Sequence, residues 1–282
     1  MNILIVYFSG TGNTWWVCSE LKKSLDNSGN QTTMISLENA EAKNTEAINK
    51  LIDQANCIIA GFPIYGSDTP DIMTDFINNL PECRDNKQFC ALCTQAAFSG
   101  DGSIFFRKTV EEKGYSFRQC FQFNMTTNFN VAMPPFSFSK PASGRKLQKM
   151  RDKTLRKIAR VTDIITSDKK HFEGSNPLFA MIGHIQRFFF RKNRGKLLTK
   201  FQFIKERCTG CKLCEKSCPV DSISFDDETG ELIRNDNCIL CFRCYNFCPA
   251  LAINFGNKVT HPEKYKRFTG PVENMKLFDI MK

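Results

Sequence analysis

Two stretches of this chain, 208–219 (CTGCKLCEKSCP) and 238–249 (CILCFRCYNFCP), carry the same cysteine pattern. In each stretch three cysteines are separated by two residues, a fourth follows after three more, and a proline comes next. The residues after each proline also correspond, VDSISF in the first and ALAINF in the second. The last third of the 282-residue chain therefore contains an internal duplication of a whole structural unit.

The spacing within each stretch is typical of thiolate ligands to an iron–sulfur cubane. Three cysteines two residues apart on a tightly turning loop can bind three irons of one cluster, and the fourth, beyond the loop, reaches the other cluster. We therefore predict two [4Fe–4S] clusters with crossed ligand sets. The first set is Cys208, Cys211, Cys214 and Cys248, and the second is Cys238, Cys241, Cys244 and Cys218.

Two zinc sites would also use paired cysteines, but they leave the third cysteine, the Cys-Pro pair and the repeat unexplained. Residues 200–258 resemble the bacterial-type two-cluster ferredoxins, with all eight ligand positions matched. The resemblance implies a small α+β domain that transfers electrons. Positions near the clusters differ between the repeats, Thr209-Gly210 against Ile239-Leu240, so we expect the clusters to differ in reduction potential.

The first half of the chain alternates strand-like and helix-like patterns, which indicates an α/β fold with a doubly wound parallel sheet. Five strands are predicted at 2–8, 31–37, 57–62, 89–94 and 117–124, and helices up to about 26 and over 71–80, 104–113 and 145–166. Ligands of such folds bind where the strands end. The loops expected there are 9–14, 63–67 and 94–101.

The residues of the first loop are small and polar, and a predicted helix begins directly after them. The N–H groups and hydroxyls of this loop can therefore surround a phosphate. It lacks the Lys-Ser/Thr pair of a nucleoside-triphosphate loop. It also lacks the G-x-G-x-x-G pattern of a dinucleotide fold, so Glu38 after the second strand does not by itself support that function. Neutral donors around a dianionic phosphate favour a mononucleotide.

The loop sequence SGTGNT resembles the [ST]-x-T-G-x-T phosphate loop of flavodoxins, and the resemblance covers residues 1–167. It implies FMN, with the phosphate in the first loop and the ring between the second and third. The candidate residues are Ser9, Gly10, Thr11, Gly12, Asn13 and Thr14, then Pro63, Ile64, Tyr65 and Gly66, then Thr94, Gln95, Ala96, Phe98 and Gly100. Phe98 replaces the usual tyrosine, and this chain is basic where flavodoxins are acidic. A flavodoxin-like domain without flavin is the alternative.

The net charge of +10 is concentrated in residues 140–207, which hold 19 Lys and Arg against 5 Asp and Glu. Within it, residues 168–199 are predicted as a basic linker with an amphipathic helix. Its apolar residues recur at helical spacing: Leu178, Met181, Ile182, Ile185, Phe188 and Phe189. We expect this face to pack on a domain, and the alternative is docking on an anionic membrane or an acidic partner. No nucleic-acid-binding motif accompanies the charge, so nucleic acid is not an expected partner.

No apolar run approaches the 18–20 residues of a membrane span, and the N-terminus lacks the features of a signal peptide. We therefore expect a cytoplasmic protein without a transmembrane segment. Because exposed low-potential clusters are oxygen-labile as a class, we also expect an anaerobic host. The six remaining cysteines are interpreted as small buried apolar residues, with Cys90 and Cys93 on opposite faces of a strand. His184 and His261 belong to no catalytic constellation, and no catalytic residue is predicted.

The whole chain resembles flavodoxin–ferredoxin fusion proteins: residues 1–167, the linker, residues 200–258, and a tail at 259–282 that packs on a domain surface. The predicted function is electron transfer between two clusters and FMN, joining one- and two-electron redox protein partners. Tethering the domains raises the effective concentration of the electron partner. The alternatives are a cluster-fed flavin reductase of a small molecule or quinone, and an iron–sulfur redox sensor.

Overall fold

The N-terminal part of the chain contains a parallel sheet of six strands in the order β2-β1-β3-β4-β5-β6. The structure is a computed structural model that describes residues 1–131, 140–256, 263–273 and 275–282. The strands are β1 (Asn2–Tyr7), β2 (Gln31–Ser36), β3 (Cys57–Pro63), β4 (Gln88–Gln95), β5 (Ser116–Asn124) and β6 (His171–Phe172). This order, with β1 between β2 and β3, is that of flavodoxin-like doubly wound folds.

The predicted number of strands was one too low. The sixth strand, β6, has two residues and pairs parallel with β5 through Gln119–His171 and Cys120–Phe172. It lies in the segment predicted as a linker, so the sheet extends beyond residue 167. Two residues are too few to produce a strand pattern in a sequence.

Helices cover both faces of the sheet. They are α1 (Asn13–Asn27), α2 (Ala40–Lys43), α3 (Thr45–Gln54), α4 (Asp71–Asn78), α5 (Arg107–Glu112) and α6 (Gly144–Thr166). Helices α1 and α6 pack on one face against Ile3 and Ile5, and α3, α4 and α5 pack on the other against Leu4 and Val6. Because both faces are covered, the central strands are continuous apolar runs rather than alternating ones.

The C-terminal part folds around the two cysteine loops. It consists of β7 (Phe201–Phe203), α8 (Leu213–Lys216), β8 (Ile223–Asp226), β9 (Glu231–Arg234), α9 (Arg243–Phe247) and β10 (Ile253–Phe255). Strand β7 pairs antiparallel with β10, and β8 with β9. This small α+β arrangement agrees with the fold class predicted from the sequence.

The thirty-residue repeat of the sequence reappears in the backbone angles. Left-handed residues occur in pairs thirty apart: Gly210 and Leu240, Lys212 and Phe242, Asp221 and Leu251. Left-handed backbone is costly for side chains such as leucine and phenylalanine, so the loop geometry imposes it. The two stretches therefore adopt the same tightly turning backbone conformation.

A 22-residue helix, α7 (Pro177–Leu198), joins the two parts, and its predicted packing was wrong. Its fully buried residues are Gly183 and Arg187, whereas most of its large apolar side chains are exposed. The helix therefore packs on the protein through Gly183, Arg187 and a few apolar residues near its end, such as Phe190 and Leu197, and leaves the predicted apolar face exposed. No helix in the described ranges is both long and apolar enough to cross a membrane.

The end of the chain returns to the sheet. The carbonyl oxygen of Lys282 accepts hydrogen bonds from the Tyr7 hydroxyl at 3.1 Å and from the Ser36 N–H at 2.9 Å. Phe268 and Leu277 are buried, while Phe278 is exposed. His261 lies outside the described residues.

Candidate functional site

A cavity of about 250 Å³ opens where β1, β3 and β4 end. Twelve of the fifteen residues predicted to bind a cofactor line it: Ser9, Gly10, Thr11, Asn13, Thr14, Pro63, Ile64, Tyr65, Gly66, Thr94, Gln95 and Ala96. The three predicted residues that do not line it are Gly12, Phe98 and Gly100. The topology of the sheet thus brings three loops that are distant in sequence to one place.

The first loop turns sharply into α1 at Gly12, whose φ of 104° is open to glycine and rare for other residues. The Gly12 N–H donates to Ser9 Oγ at 3.1 Å, and the Gly12 carbonyl accepts from the Trp16 N–H. The hydroxyls of Thr14 and Thr94 share a hydrogen bond of 2.8 Å. Gly12 therefore allows the turn of the first loop without lining the cavity. The hydrogen bond between Thr14 and Thr94 links the first loop to the third.

Three buried polar atoms of residues that line the cavity have no hydrogen-bond partner in the described part of the chain. They are Asn13 Oδ1, Tyr65 Oη and Gln95 Oε1. Burial raises the pKa of Tyr65 well above its usual value, so its hydroxyl stays protonated and can donate. Buried polar atoms are normally hydrogen-bonded, so these three fit a ligand with several polar groups. FMN has such groups on its phosphate, ribityl chain and ring.

The predicted role of Phe98 beside a flavin ring does not agree with its position. Its ring packs edge-on against Phe179 of α7, with 5.3 Å between ring centres. A Cβ on Gly100 would lie 2.5 Å from the Cα of Gly183, so the two backbones pack too closely for a side chain at Gly100. Helix α7 therefore covers the outer side of the third loop and draws Phe98 away from the cavity.

Sequence reasoning missed the opposite wall of the cavity. It is formed by Thr126–Phe129 and Val131 after β5, by Phe190 and Leu197 of α7, and by Leu240, Phe242 and Phe255 of the cysteine-rich part. These residues come from segments that are far apart in the chain. No sequence pattern predicted that these segments meet.

The eight cysteines of the repeats fall into two groups around two smaller cavities. One is lined by Cys208, Cys211, Cys214 and Cys248, and the other by Cys218, Cys238, Cys241 and Cys244. These groups are the crossed ligand sets predicted from the spacing. Backbone N–H groups thirty residues apart donate to the crossing sulfurs: Ser222 to Cys218 at 3.2 Å and Ala252 to Cys248 at 3.3 Å.

The two groups suit clusters better than single ions. Within the described ranges, no three His, Cys, Asp or Glu side chains converge as a mononuclear metal site requires. In a cubane each cysteine binds a different iron, so the sulfurs surround a cavity rather than a point. The donor set, four cysteines in each case, is the one that [4Fe–4S] clusters use.

The surroundings of the two cysteine groups differ. The guanidinium of Arg234 lies 3.6 Å from Cys238 Sγ and 3.8 Å from Cys244 Sγ, and it stacks on the Phe201 ring at 3.9 Å. Thirty residues earlier the corresponding residue is Ile204. The second group is therefore beside a positive charge that its counterpart lacks at that position.

The remaining cysteines are mostly buried in the N-terminal part. Cys90 and Cys93 have no exposed surface and belong to the apolar clusters on opposite faces of the sheet. This position agrees with their interpretation as small core residues. Cys83 is the one of the six that is partly exposed.

One segment of the chain matches a known domain family. Residues 207–252 match the family described as 4Fe-4S dicluster domain. A segment of 65 residues is 35% identical to the archaeal-type glutamate synthase [NADPH] of Dehalococcoides mccartyi, covering 23% of this chain and 12% of that relative. Since so little of the relative is covered, the match concerns one segment.

The N-terminal part is similar to solved flavodoxins. The flavodoxin of Streptococcus pneumonia TIGR4 is 14% identical with a TM-score of 0.41, and flavodoxin 2 of Bacillus cereus is 17% identical with a TM-score of 0.41. Each match covers 59% of this chain and 99% of the other. At these values the fold assignment rests on the observed strand order. The chain therefore joins an α/β part that has the flavodoxin strand order to a segment that matches a 4Fe-4S dicluster domain.

Proposed function

We propose that this protein transfers electrons between two [4Fe–4S] clusters and an FMN in the main cavity. The observation that carries the proposal is that residues from both parts of the chain line the same cavity. Leu240 and Phe242, from the loop that holds Cys241, line the same cavity as the phosphate-loop residues Ser9 and Thr11. FMN supplies one- and two-electron chemistry and each cluster one-electron chemistry.

The residues of the first loop suit the phosphate, and those of the second and third loops suit the ring. Gly10 has a specific part in bringing the two redox sites together. A Cβ on Gly10 would overlap the Tyr65 hydroxyl and lie 3.1 Å from the Cβ of Cys241. The absence of a side chain therefore lets the second cysteine loop approach the cavity closely.

The core supports the same arrangement. Ile239 and Cys241 are buried in the apolar cluster that contains Leu4, Val6 and Ile58 of the sheet. The second cysteine group is thus embedded between the domains, with Cys238, Cys241 and Cys244 at most 9% exposed.

The first cysteine group is oriented toward solvent. Cys211 is exposed, and Cys208, Cys214 and Cys248 are partly buried. We infer a series arrangement in which the exposed cluster meets a redox partner, the buried cluster follows, and FMN is last. Such a series joins a one-electron partner at the surface to a two-electron cofactor in the interior.

The experiment is iron and flavin analysis of anaerobically purified protein, followed by a stepwise reductive titration. We expect about eight irons and one FMN per chain, and flavin bleaching when electrons are supplied by a reduced ferredoxin. Eight irons with no flavin uptake would contradict the FMN part of the proposal. Flavin that is reduced equally fast when the exposed cluster is disabled would contradict the series.

The reductase alternative has its own outcome. Steady, saturable oxidation of the reduced protein by a small quinone would favour an enzyme over a carrier. The aromatic residues Phe129, Phe190 and Phe242 line the cavity as well. We place electron transfer first because the second cysteine loop contributes Leu240 and Phe242 to the lining of the same cavity.

A further inference from the structure

Helix α7 exposes an apolar stripe. Six of the eleven large apolar side chains that are exposed among the described residues lie on this helix, each 45–56% exposed. They are Leu178, Phe179, Met181, Ile185, Phe188 and Phe189. Five of them, all except Phe179, recur every three to four residues and so share one face of the helix. Exposed apolar residues that are contiguous indicate an interaction surface, whereas scattered ones do not.

The opposite face of α7 is fixed to the protein by arginines. Buried Arg187 donates to Asp101 Oδ1 at 2.5 Å and to the Ser67 carbonyl at 3.1 Å. Arg191 makes two bonds to the carboxylate of Asp68, at 2.6 and 2.8 Å. Because these are short, directional bonds of charged groups, the helix cannot roll to bury its apolar stripe.

A third arginine fixes the end of the helix. Arg194 pairs with Asp71 at 2.7 Å and donates to the Cys238 carbonyl at 3.0 Å. Near the start of the helix, Gly183 packs directly on the backbone of Gly100. These contacts therefore fix the orientation of α7 along most of its length. The apolar stripe is exposed because of them.

The charged side chains of α7 are all positive. Lys192 and Lys196 are exposed and continue the same helical face, four and eight residues after Phe188. Helix α7 contains no Asp or Glu, and the segment 140–207 around it carries a net charge of +14. The surface is thus a linear apolar stripe of about 17 Å, at 1.5 Å per residue, that ends in cations.

We propose that α7 docks on the surface of an anionic lipid bilayer. The apolar side chains enter the boundary between headgroups and acyl chains, and Lys192 and Lys196 contact anionic headgroups. Phenylalanine, leucine and isoleucine on one face with lysine beside them and no acid are typical of helices that lie in this boundary.

A second copy of the chain fits this surface less well. In a parallel two-fold contact between two α7 helices, the lysines of one copy would face those of its partner. In an antiparallel contact the lysines would lie beyond the apolar stripe of the partner, and α7 offers no acid to pair with them. This inference is independent of the proposed electron transfer, since it concerns the outer face of the helix.

The test is sedimentation of the anaerobic holoprotein with vesicles of phosphatidylcholine alone or with about one third phosphatidylglycerol. We expect binding to the anionic vesicles that weakens with salt. The double variant Ile185→Ser, Phe188→Ser should bind at least about tenfold more weakly, since each side chain loses the transfer free energy of its buried part. The matched control is Leu155→Ser, an exposed apolar residue of α6, which should bind like the wild type.

The cluster absorbance and circular dichroism of each variant show whether it is folded. Unchanged vesicle binding by a folded double variant, or no binding by the wild type, would overturn the proposal. A wild type that is dimeric by light scattering, with a monomeric double variant, would instead assign the stripe to a second copy. Retention on a polyglutamate resin without vesicle binding would assign it to an acidic protein, and both of these results also overturn it.

Discussion

Arg243, which lies between two cysteines of the second loop, forms a two-bond ion pair with Glu38 at the end of β2, at 2.5 and 2.6 Å. Both side chains are at most 2% exposed. The same guanidinium donates to the carbonyls of Ser9, Gly10 and Ser217. One side chain therefore joins the phosphate loop, the second strand and both cysteine loops.

Replacing Arg243 by methionine should lower the free energy of unfolding by about 3–5 kcal/mol, because Glu38 would remain buried without its partner. Burial alone lowers the pKa of Arg243, but the hydrogen bonds and charge of Glu38 outweigh it and raise the pKa above its usual value. Anaerobic guanidinium unfolding measures the change.

The double variant Glu38→Leu, Arg243→Met should recover part of that loss, since no unpaired charge remains. Lys23→Met, which removes an exposed ion pair with Glu20, is the control and should change the free energy by less than about 1 kcal/mol. An Arg243→Met protein as stable as the wild type would show that the ion pair does not hold the domains together.

Gly10→Ala should weaken FMN binding and perturb the spectrum of the buried cluster. The added Cβ would collide with the Tyr65 hydroxyl and press on Cys241, so the loop or the cysteine must move. Recovery of flavin fluorescence on dilution measures the affinity. Gly195→Ala in α7 has open space around the new methyl group and should leave both readouts unchanged while favouring the helix.

Arg234→Gln should lower the potential of one of the two clusters. The positive charge beside Cys238 and Cys244 stabilises the reduced, more negative state, so its removal shifts the potential downward, on the order of 60 mV for a tenfold effect on a one-electron couple. A redox titration followed by electron paramagnetic resonance resolves the clusters. Arg234→Lys keeps the charge and should show a smaller shift; equal shifts of both clusters would contradict the assignment.

Cys248→Ser and Cys218→Ser should affect different clusters because the ligand sets cross. Cys248 shares a cavity with Cys208, Cys211 and Cys214, so its replacement should alter the exposed cluster and spare the cluster beside Arg234. Cys218→Ser should do the reverse. If each change altered the cluster of its own loop, the crossed sets would be wrong.

The buried cysteines of the sheet should resist alkylation in the native protein. Burial raises the pKa of Cys93 to about 12 and that of Cys120 to about 11. A thiol is reactive only as the thiolate, so both remain protonated and inert at pH 8 and at pH 9. Mass mapping after iodoacetamide should find these two labelled only after unfolding, where their pKa returns to about 8.5. Native labelling of Cys93 would mean that the sheet opens.

Much of the fold could be predicted from local pattern. Five of the six strands of the parallel sheet were predicted from apolar runs, and the two cysteine loops from the spacing of their cysteines. Both signals lie within a few neighbouring residues of the chain. The crossed grouping of the cysteines was predicted for the same reason, since the duplication fixes each loop. The short strand β6 and the position of Phe98 could not be predicted, because both depend on what packs beside them.

By itself the sequence determined the classes of the two domains and most residues around the cavity, because phosphate loops and cysteine ligands are encoded at short range. Only the tertiary structure decided how the domains meet. Sequence reasoning assigned Glu38 no role, yet its carboxylate pairs with Arg243, which lies 205 residues away along the chain. The apolar residues of α7 suggested a packed face, yet arginines hold that face outward. Such outcomes depend on long-range ion pairs and burial, which no local pattern contains.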